Sequence, residues 1–342
     1  MSTLDHTDAA SFLQSHLASY DIESMQAHIE QICKLANSQD RQASNALLAD
    51  FTELYESGVF AFIGDSNRAA VNLTAMVADP FTDEASFDPE YFGKLMYCAL
   101  RLLDNMGVDR KKPMLSINGL AETIMMMGYS YDSKEGRHVA ASLMRFVRDE
   151  IFHAALRLTY ERGSAPAFNV DKYLSMGYGK TLPSDFREDI RRYGLRFPTL
   201  ITIDNNSFAS ICMLAGVTPG VMPPPKWKYH WTMYDANNSI VQVESSNFLF
   251  QRFADRKGGL PPYCKTALDL KVEDYNLMVQ KIKRFIDGGI KPIDFAVKVN
   301  LDQKKPAKEK PKPYRFTVVP SAERRPSVAV HRLFGCFGLA SV

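Results

Sequence analysis

The sequence predicts an α/β fold with a largely parallel sheet. Three apolar runs rich in Ile, Val and Thr are typical of strands, at residues 198–203, 240–243 and 295–299. Longer segments with helical periodicity lie before and between these runs. Strands that alternate with helices of this length favour a parallel sheet, because parallel neighbours need a crossover connection.

Three helices follow from the spacing of apolar residues. The clearest is predicted over residues 137–162, and Gly163 after it is a typical stop signal. The other two are predicted over residues 90–106 and residues 272–286. The inner face of the first is predicted to consist of Ala140, Leu143, Val147, Ile151, Ala154, Ala155 and Leu158.

The chain divides into three regions by composition. Residues 1–60 form a helical N-terminal segment, and residues 61–300 mix helical and strand patterns in one main body. Residues 301–342 begin with a run rich in Lys and Pro, which is typical of a solvated linker and tail. The apolar residues that recur three or four positions apart in the first region are Ile22, Met25, Ile29, Ile32 and Leu35.

Composition and charge exclude several classes of protein. The 342 residues are 46% hydrophobic and 23% charged, which excludes a disordered chain or a disulfide-stapled mini-protein. Lys and Arg number 41 against 39 Asp and Glu, and a net charge of +2 gives no general attraction to nucleic acid or anionic membrane. No apolar run reaches the roughly 20 residues that span a bilayer. We therefore expect neither a membrane nor a nucleic acid as partner.

The cysteines and the N-terminus predict a cytoplasmic location. The five cysteines are dispersed, odd in number and without a CxxC pair, which suits a reducing compartment. They are Cys33, Cys98, Cys212, Cys264 and Cys336. The N-terminal segment carries acids and no basic region, so no secretory signal is predicted.

Generic catalytic motifs do not occur in the sequence. It contains no GxGxxG, HExxH or GxSxG, and its seven His do not pair with Cys at metal-ligand spacing, so we predict neither a cofactor nor a metal. Residues 223–231, PPPKWKYHW, interleave basic and aromatic side chains as a base-stacking surface does. With so small a net charge, we interpret them as a loop packed against the body.

A more informative polar run occupies residues 204–207, directly after a predicted strand. Polar residues at the carboxyl end of a parallel strand are where α/β proteins place ligands. The alternative is an ordinary turn, since Asp, Asn and Ser bond to their own backbone. Both interpretations stay open at this point.

Several segments, taken in order, resemble the catalytic barrel of the ribonucleotide reductase large subunit. The most specific is NGLAETIMMMGYSYDS at residues 118–133, which is similar to the family signature GxxGLAxxLxxxGxxYDS. SNRAAVNL at residues 66–73 resembles CNLASINL, and YGLRFPTL at residues 193–200 resembles HGLRNSTL. Further similar segments lie at residues 99–106, 160–168, 173–183, 215–224, 260–270 and 282–290.

The resemblance implies a partial ribonucleotide-reductase-like ten-stranded barrel, of which this chain supplies the second half-barrel. In that family a radical forms on a cysteine of an NxCxE-like loop, two further cysteines supply electrons, and a PTGTIS-like loop binds the substrate phosphates. Half a barrel leaves an unpaired sheet edge, which natural proteins cover. We expect residues 1–60 to provide that cover.

The chemical positions of the family are changed in this chain. Ser66 stands where the reducing cysteine opens CNLASINL, and no NxCxE occurs. The phosphate loop corresponds to residues 205–210, and Arg196 is retained from the HGLRN motif as a further candidate. The polar candidates of the loop are Asn205, Asn206, Ser207 and Ser210. The resemblance thus implies a candidate phosphate-like loop and no catalytic residue.

Two functions follow from the resemblance. In the first, the chain is a pseudoenzyme that keeps the fold and serves as a binding or assembly protein. In the second, it is the C-terminal chain of a split ribonucleoside-diphosphate reductase and makes deoxyribonucleotides together with a separate N-terminal chain. The cysteine positions favour the first, and we expect a protein partner or a homo-oligomer. A third possibility, different chemistry at residues 204–210, has only its position in support.

Overall fold

The computed structural model describes residues 3–4, 22–62, 69–107, 114–204, 217–234, 240–255 and 259–291. The predicted strand at residues 295–299 and the tail at residues 301–342 lie outside these described residues. The helices are α1 Ile22–Ser38, α2 Asn45–Glu56, α3 Pro89–Asn105, α4 Leu120–Met126, α5 Lys134–Arg162, α6 Val170–Ser175, α7 Ser184–Tyr193, α8 Phe248–Phe253 and α9 Val272–Ile282. The strands are β1 Thr3–Leu4, β2 Phe60–Phe62, β3 Ala69–Asn72, β4 Val77–Ala78, β5 Ser86–Phe87, β6 Leu115–Asn118, β7 Ile201–Thr202, β8 Lys228–Tyr234 and β9 Ile240–Ser246.

The main sheet has the strand order β2-β3-β6-β7, and its central part is parallel. β3 pairs in parallel with β6, and β6 pairs in parallel with β7. β2 pairs antiparallel with β3, while a parallel bridge joins Ile203 after β7 to Ile290. The predicted α/β class with a parallel sheet is therefore confirmed, whereas the strands of the described residues do not close into a barrel.

Two expectations about strands need correction. The run at residues 240–243 does not join the main sheet, because β9 pairs antiparallel with β8 and, on its other side, in parallel with β1. The segment expected to be a loop at residues 223–231 instead enters β8 at Lys228. Residues 235–239 alone separate β8 from β9, too few for the crossover that parallel pairing needs, so a hairpin forms.

The two longest inner helices confirm the predicted periodicity. α5 begins after Ser133, whose side chain accepts a hydrogen bond from the Gly136 backbone, and it ends at Gly163, where φ is 81°. Every residue predicted for its inner face is buried, and α3 packs along it. The third predicted helix is shorter, since α9 ends at Ile282 and a 3₁₀ turn follows. Among the described residues, no helix has the length and apolar character that crossing a bilayer requires.

A helix, α1, forms in the N-terminal segment, and its described apolar residues differ in burial. Cys33 and Ala36 of α1 are fully buried, whereas Leu35 is 43% exposed. α1 packs against α2 and α3, so the neighbouring positions that face these helices are Cys33 and Ala36. Of the spaced apolar residues whose side chains are described, Ile32 packs against the core and Leu35 does not.

Three helix C-termini meet at one buried group of ion pairs. Asp40, just after α1, has a fully buried side chain and accepts two hydrogen bonds from Arg101 of α3, at 2.7 and 2.8 Å. The same carboxylate accepts from Arg162 at the end of α5, at 2.5 Å. Burial opposes ionisation, yet hydrogen bonds from Arg101 and Asn105 hold the pKa of Asp40 well below its usual range. The ionised carboxylate therefore ties three helices together.

Asp104 extends this group toward the sheet. Its buried carboxylate accepts from Arg162 at 2.6 Å and from Arg196 at 2.8 Å. Arg196 also donates to the carbonyls of Arg162 and Gly163, where α5 leaves carbonyl groups without partners inside the helix. Since Arg196 lies just before β7, these contacts connect the strand to the helix ends. We call the set Asp40, Arg101, Asp104, Arg162 and Arg196 the helix-end network.

Asp40→Asn is expected to lower the free energy of unfolding by about 3 kcal/mol or more, because it leaves buried guanidinium charge without its partner. The measurement is urea denaturation followed by circular dichroism. Asp50→Asn is the matched control, since the Asp50 side chain is 40% exposed and lies 3.6 Å from Lys94. Its cost is expected to stay below about 1 kcal/mol. Equal losses in the two variants would contradict the central place of the helix-end network.

Candidate functional site

The parallel sheet has one apolar and one polar face. Residues along a strand alternate between faces, and those paired across the sheet share a face. The apolar face is fully buried and consists of Ala69, Val71, Leu115, Ile117, Ile201 and Ile203. The polar face, a name kept below, consists of Ala70, Asn72, Ser116, Asn118 and Thr202, with Asp204 at its end. Each of these residues is 3% exposed or less. Such a surface at strand ends is where α/β proteins bind ligands.

The polar face is satisfied internally at some positions and open at others. Asn72 donates to the carbonyl of Gly58 and accepts from the backbone and the hydroxyl of Thr74. Ser116 Oγ and both polar atoms of the Asn118 side chain have no partner among the described residues. Buried polar groups are normally hydrogen-bonded, so these two side chains are available to a ligand or to ordered water.

A buried carboxylate lies one turn beyond Asn118, on α4. Glu122 is fully buried, and its Oε1 accepts from the backbone N of Thr218 at 2.8 Å, from the Thr218 hydroxyl, and from Nδ2 of Asn247 at 2.9 Å. Burial raises the pKa of Glu122, although these hydrogen bonds oppose the rise. Its Oε2 has no partner within the described part of the chain. Glu122 thus joins three segments and keeps one oxygen open.

Gly119 allows these segments to approach one another. It connects β6 to α4 with a φ of 78°, a conformation that favours glycine. A Cβ at this position would lie 2.9 Å from both Thr74 Cγ2 and Val217 Cγ1. The missing side chain therefore lets the backbone at residues 217–218 pass close to the strand end, which sets Thr218 beside Glu122.

The predicted site residues are only partly within the described structure. Asp204 lies at the carboxyl end of β7, as expected for a ligand-binding turn, and pairs with Lys291 at 2.7 Å. Ser66 lies outside the described residues, as does the whole loop at residues 205–210. The loop candidates concerned are Asn205, Asn206, Ser207 and Ser210. Their roles stay predictions.

Arg196 lies at the other end of the sheet. It precedes β7, whereas Asp204 follows that strand, and its guanidinium is held by Asp104 and by the carbonyls at the end of α5. The described structure therefore does not bring Arg196 together with Asp204. The physical reason is that a guanidinium satisfies carbonyl groups at a helix C-terminus, where a positive charge is favoured.

None of the described thiols lies on the polar face. Cys33 and Cys98 are buried on α1 and α3, and Cys264 is partly buried. Burial raises the pKa of Cys98 and of Cys264 to about 12, so both stay protonated at neutral pH. Cys212 and Cys336 lie outside the described residues. Within the described ranges, no group of three or more His, Cys, Asp or Glu side chains could hold a metal ion.

Sequence reasoning missed Glu122, Thr218 and Asn247. Glu122 is the only charged residue of LAETIMM, and an acid in an otherwise apolar helix signals a buried polar contact. Thr218 carries no comparable signal, and Asn247 has the ordinary pattern of a helix cap, since its side chain accepts from Leu249 N at the start of α8. Only the folded chain brings the three together.

The parallel sheet with a buried polar face at its strand ends defines an α/β protein with a candidate ligand-binding surface in its interior. The sequence also matches the family model described as the barrel domain of ribonucleotide reductase, over residues 65–309. That range is more than half of the chain. The protein therefore belongs to the ribonucleotide reductase large-subunit family, as the resemblance of its segments predicts.

Two curated relatives give the same assignment with partial coverage. Both are called vitamin B12-dependent ribonucleoside-diphosphate reductase and come from Mycobacterium tuberculosis, strains CDC 1551 / Oshkosh and ATCC 25618 / H37Rv. Each is 30% identical to this chain over 125 residues. The alignment covers 32% of this chain and 17% of each relative, so the chain matches only a limited part of those enzymes.

The free energy of unfolding is expected to depend on the ionisation of Glu122. Because its pKa is raised in the folded state, the folded protein binds this proton more tightly than the unfolded chain. The stabilisation is complete below the ordinary value of 4.5 and declines as the pH rises through the raised pKa. Glu122→Gln keeps an acceptor and cannot ionise, so the free energy of unfolding of this variant is expected to decline less over the same pH range. Urea denaturation between about pH 4 and about pH 8 measures this, and identical slopes for both proteins count against it.

Proposed function

We propose that this chain is a ribonucleotide reductase large-subunit-like protein that has lost the radical and redox chemistry and serves as a binding or assembly protein. In this proposal it is inactive alone, uses no cofactor, and works in the cytoplasm with a protein partner or as a homo-oligomer. The observation that carries the proposal is the polar face. Among the described residues it offers amides, hydroxyls and a carboxylate, but no thiol.

The cysteine positions support binding without electron transfer. Ribonucleotide reduction, as the family resemblance implies it, needs thiols at defined places. Ser66 occupies the reducing-cysteine position inside the matched range, and a hydroxyl cannot form a disulfide. Cys98 is buried and Cys264 is partly buried, neither is a residue of the polar face, and both hold their protons well above neutral pH. A thiol of this kind is a poor nucleophile and a poor partner in disulfide exchange.

The pairing of β2 with β3 supports a chain that folds without a complementary half-barrel. β2 pairs with β3 from Phe60 opposite Val71 to Phe62 opposite Ala69. α2 leads into β2 along the same polypeptide, so the chain itself supplies the neighbouring strand. The sheet therefore does not end at its parallel strand β3, and the short strand β2 becomes the outer strand on this side.

The second candidate function is the C-terminal chain of a split reductase. It is favoured by the partial match, because the alignment covers 17% of the reductase relatives and the family match is to the barrel domain. On this hypothesis a separate chain supplies the radical loop, and the complex makes deoxyribonucleotides. Residues 205–210 bind the substrate phosphates in that case.

A direct assay separates the two functions. The purified chain, given ribonucleoside diphosphates and a dithiol reductant, is expected to form no deoxyribonucleotide detectable by liquid chromatography. The assay is then repeated with proteins that co-purify with the chain from its native host. A co-purifying chain with an NxCxE loop that restores reduction establishes the split enzyme and overturns the pseudoenzyme.

Replacing every cysteine tests whether the chain needs a thiol to bind its partners. The variant is expected to keep the circular dichroism spectrum and to retain the wild-type partners in quantitative mass spectrometry, because binding needs no thiol. Loss of the partners from a folded variant would contradict the proposal. The substitutions are Cys33→Ala, Cys98→Ala, Cys212→Ser, Cys264→Ser and Cys336→Ser.

Asn118→Leu is expected to leave stability unchanged or to raise it by up to about 2 kcal/mol, since it removes buried polar atoms without partners. Asn72→Leu is the matched control on the same face. It leaves the Gly58 carbonyl and Thr74 without their partner and is expected to cost about 1–3 kcal/mol. Thermal unfolding measures both. A loss for Asn118→Leu as large as for the control would make the amide structural and argue against its role in binding.

A further inference from the structure

A cavity of about 220 Å³ opens beside the helix-end network, at the amino end of the sheet. It is distinct from the polar face, because Arg196 precedes β7 and Asp204 follows it. The lining residues are Gln39, Arg41, Asp104, Asn105, Arg162 and Arg196. Three arginines and one acid thus surround a space large enough for a small ligand.

The acid that lines the cavity is already neutralised. Asp104 is 1% exposed at its side chain, and its two oxygens accept from Arg162 Nη1 and Arg196 Nε. Asn105 is engaged as well, since it donates to Asp40 and to the Ala36 carbonyl. The carboxylate therefore holds the guanidinium groups in place and leaves little negative charge to face a ligand.

Two arginines keep unused hydrogen-bond donors. Arg196 donates from Nε to Asp104 and from Nη1 to two carbonyls, whereas its Nη2 has no acceptor among the described residues. Arg41 is exposed, lines the cavity, and has no hydrogen bond or ion pair to any described residue. A ligand that accepts hydrogen bonds can therefore reach both guanidinium groups.

The charges around the cavity leave a positive surplus. Each carboxylate of the surrounding group is paired with Arg101, Arg162 or Arg196. Arg157 also pairs with Glu161, at 3.5 Å, so five arginines stand against three carboxylates. This surplus of two positive charges, one of them on Arg41, faces the partial negative charge of the helix C-termini. The set is Arg41, Arg101, Arg157, Arg162 and Arg196 against Asp40, Asp104 and Glu161.

We propose that this cavity binds a phosphate group, either as inorganic phosphate or as a sugar-phosphate ester. Guanidinium groups pair with phosphate oxygens through two parallel hydrogen bonds, which a single ammonium does not provide. In this site the phosphate oxygens accept from Nη2 of Arg196 and from Arg41, while Asp104 fixes the orientation of Arg196. The site does not depend on the proposed function, and none of its lining residues belongs to the candidate loop at residues 205–210.

Isothermal titration with inorganic phosphate, ribose 5-phosphate and ribose, at constant ionic strength, tests the site. Both phosphate compounds are expected to bind, and ribose is not. Tighter binding of ribose 5-phosphate identifies an ester as the ligand, and equal or weaker binding identifies free phosphate. Arg41→Gln is expected to weaken phosphate binding about tenfold, because charge-assisted hydrogen bonds are lost. Arg41→Lys keeps the charge and is expected to recover part of the affinity.

Arg191→Gln is the matched control. Arg191 is an exposed arginine on α7 that does not line the cavity, so its replacement is expected to leave the affinity unchanged. Thermal unfolding of each variant checks the fold, and Arg41→Gln is expected to keep the wild-type Tm. Failure of both phosphate compounds to bind overturns the proposal. Equal weakening in Arg41→Gln and Arg191→Gln also overturns it, because that result indicates an adventitious ion only.

Discussion

The convergence of three helix C-termini on buried carboxylates is the constraint on which the rest of the fold depends. A helix C-terminus carries partial negative charge, and α1, α3 and α5 bring three of them together beside Asp40 and Asp104. The negative charges of the helix C-termini and the carboxylates repel one another unless cations lie between them. Arg101, Arg162 and Arg196 supply the cations from three segments, so the same charges fix the end of α1, the helix layer and the entry to β7.

The helix-end network also determines how the two ends of the sheet differ. α3 lies between β3 and β6, and α5 lies between β6 and β7, so fixed helix ends fix both crossovers. Asp287 adds a further anchor, because its carboxylate accepts from the backbone N of Leu200 and of Ile201, at 2.9 and 2.7 Å. Burial raises the pKa of Asp287 to about 6, although these hydrogen bonds oppose the rise. Paired groups thus hold the helix ends and the start of β7 together at the amino end of the sheet. Near the carboxyl end, Asn118 and Glu122 keep polar atoms without partners among the described residues.

Local patterns predicted what local forces determine. The periodicity of α5 and the glycine after it are properties of one segment, and both the helix and its inner face are as expected. The exposure of Leu35 on α1 was not predictable, because it depends on which neighbours the helix meets. The contacts of Arg196 and Glu122 were not predictable for the same reason. Their partners lie about 30 to 125 positions away in the chain, and no spacing rule connects them.

A buried polar group without a partner costs free energy, so a chain selected only for its fold gains stability when an apolar group replaces it. Ser116, Asn118 and Oε2 of Glu122 are such groups, and they occur near one strand end. Gly119 and the apolar matches to the family specify packing, whereas the segment resemblance implies that Ser66 stands where the family has a cysteine. The proposed function gives these two observations separate causes. A chain that does not reduce its ligand needs no thiols, whereas a chain that binds at the strand end needs the polar groups that packing alone would not retain.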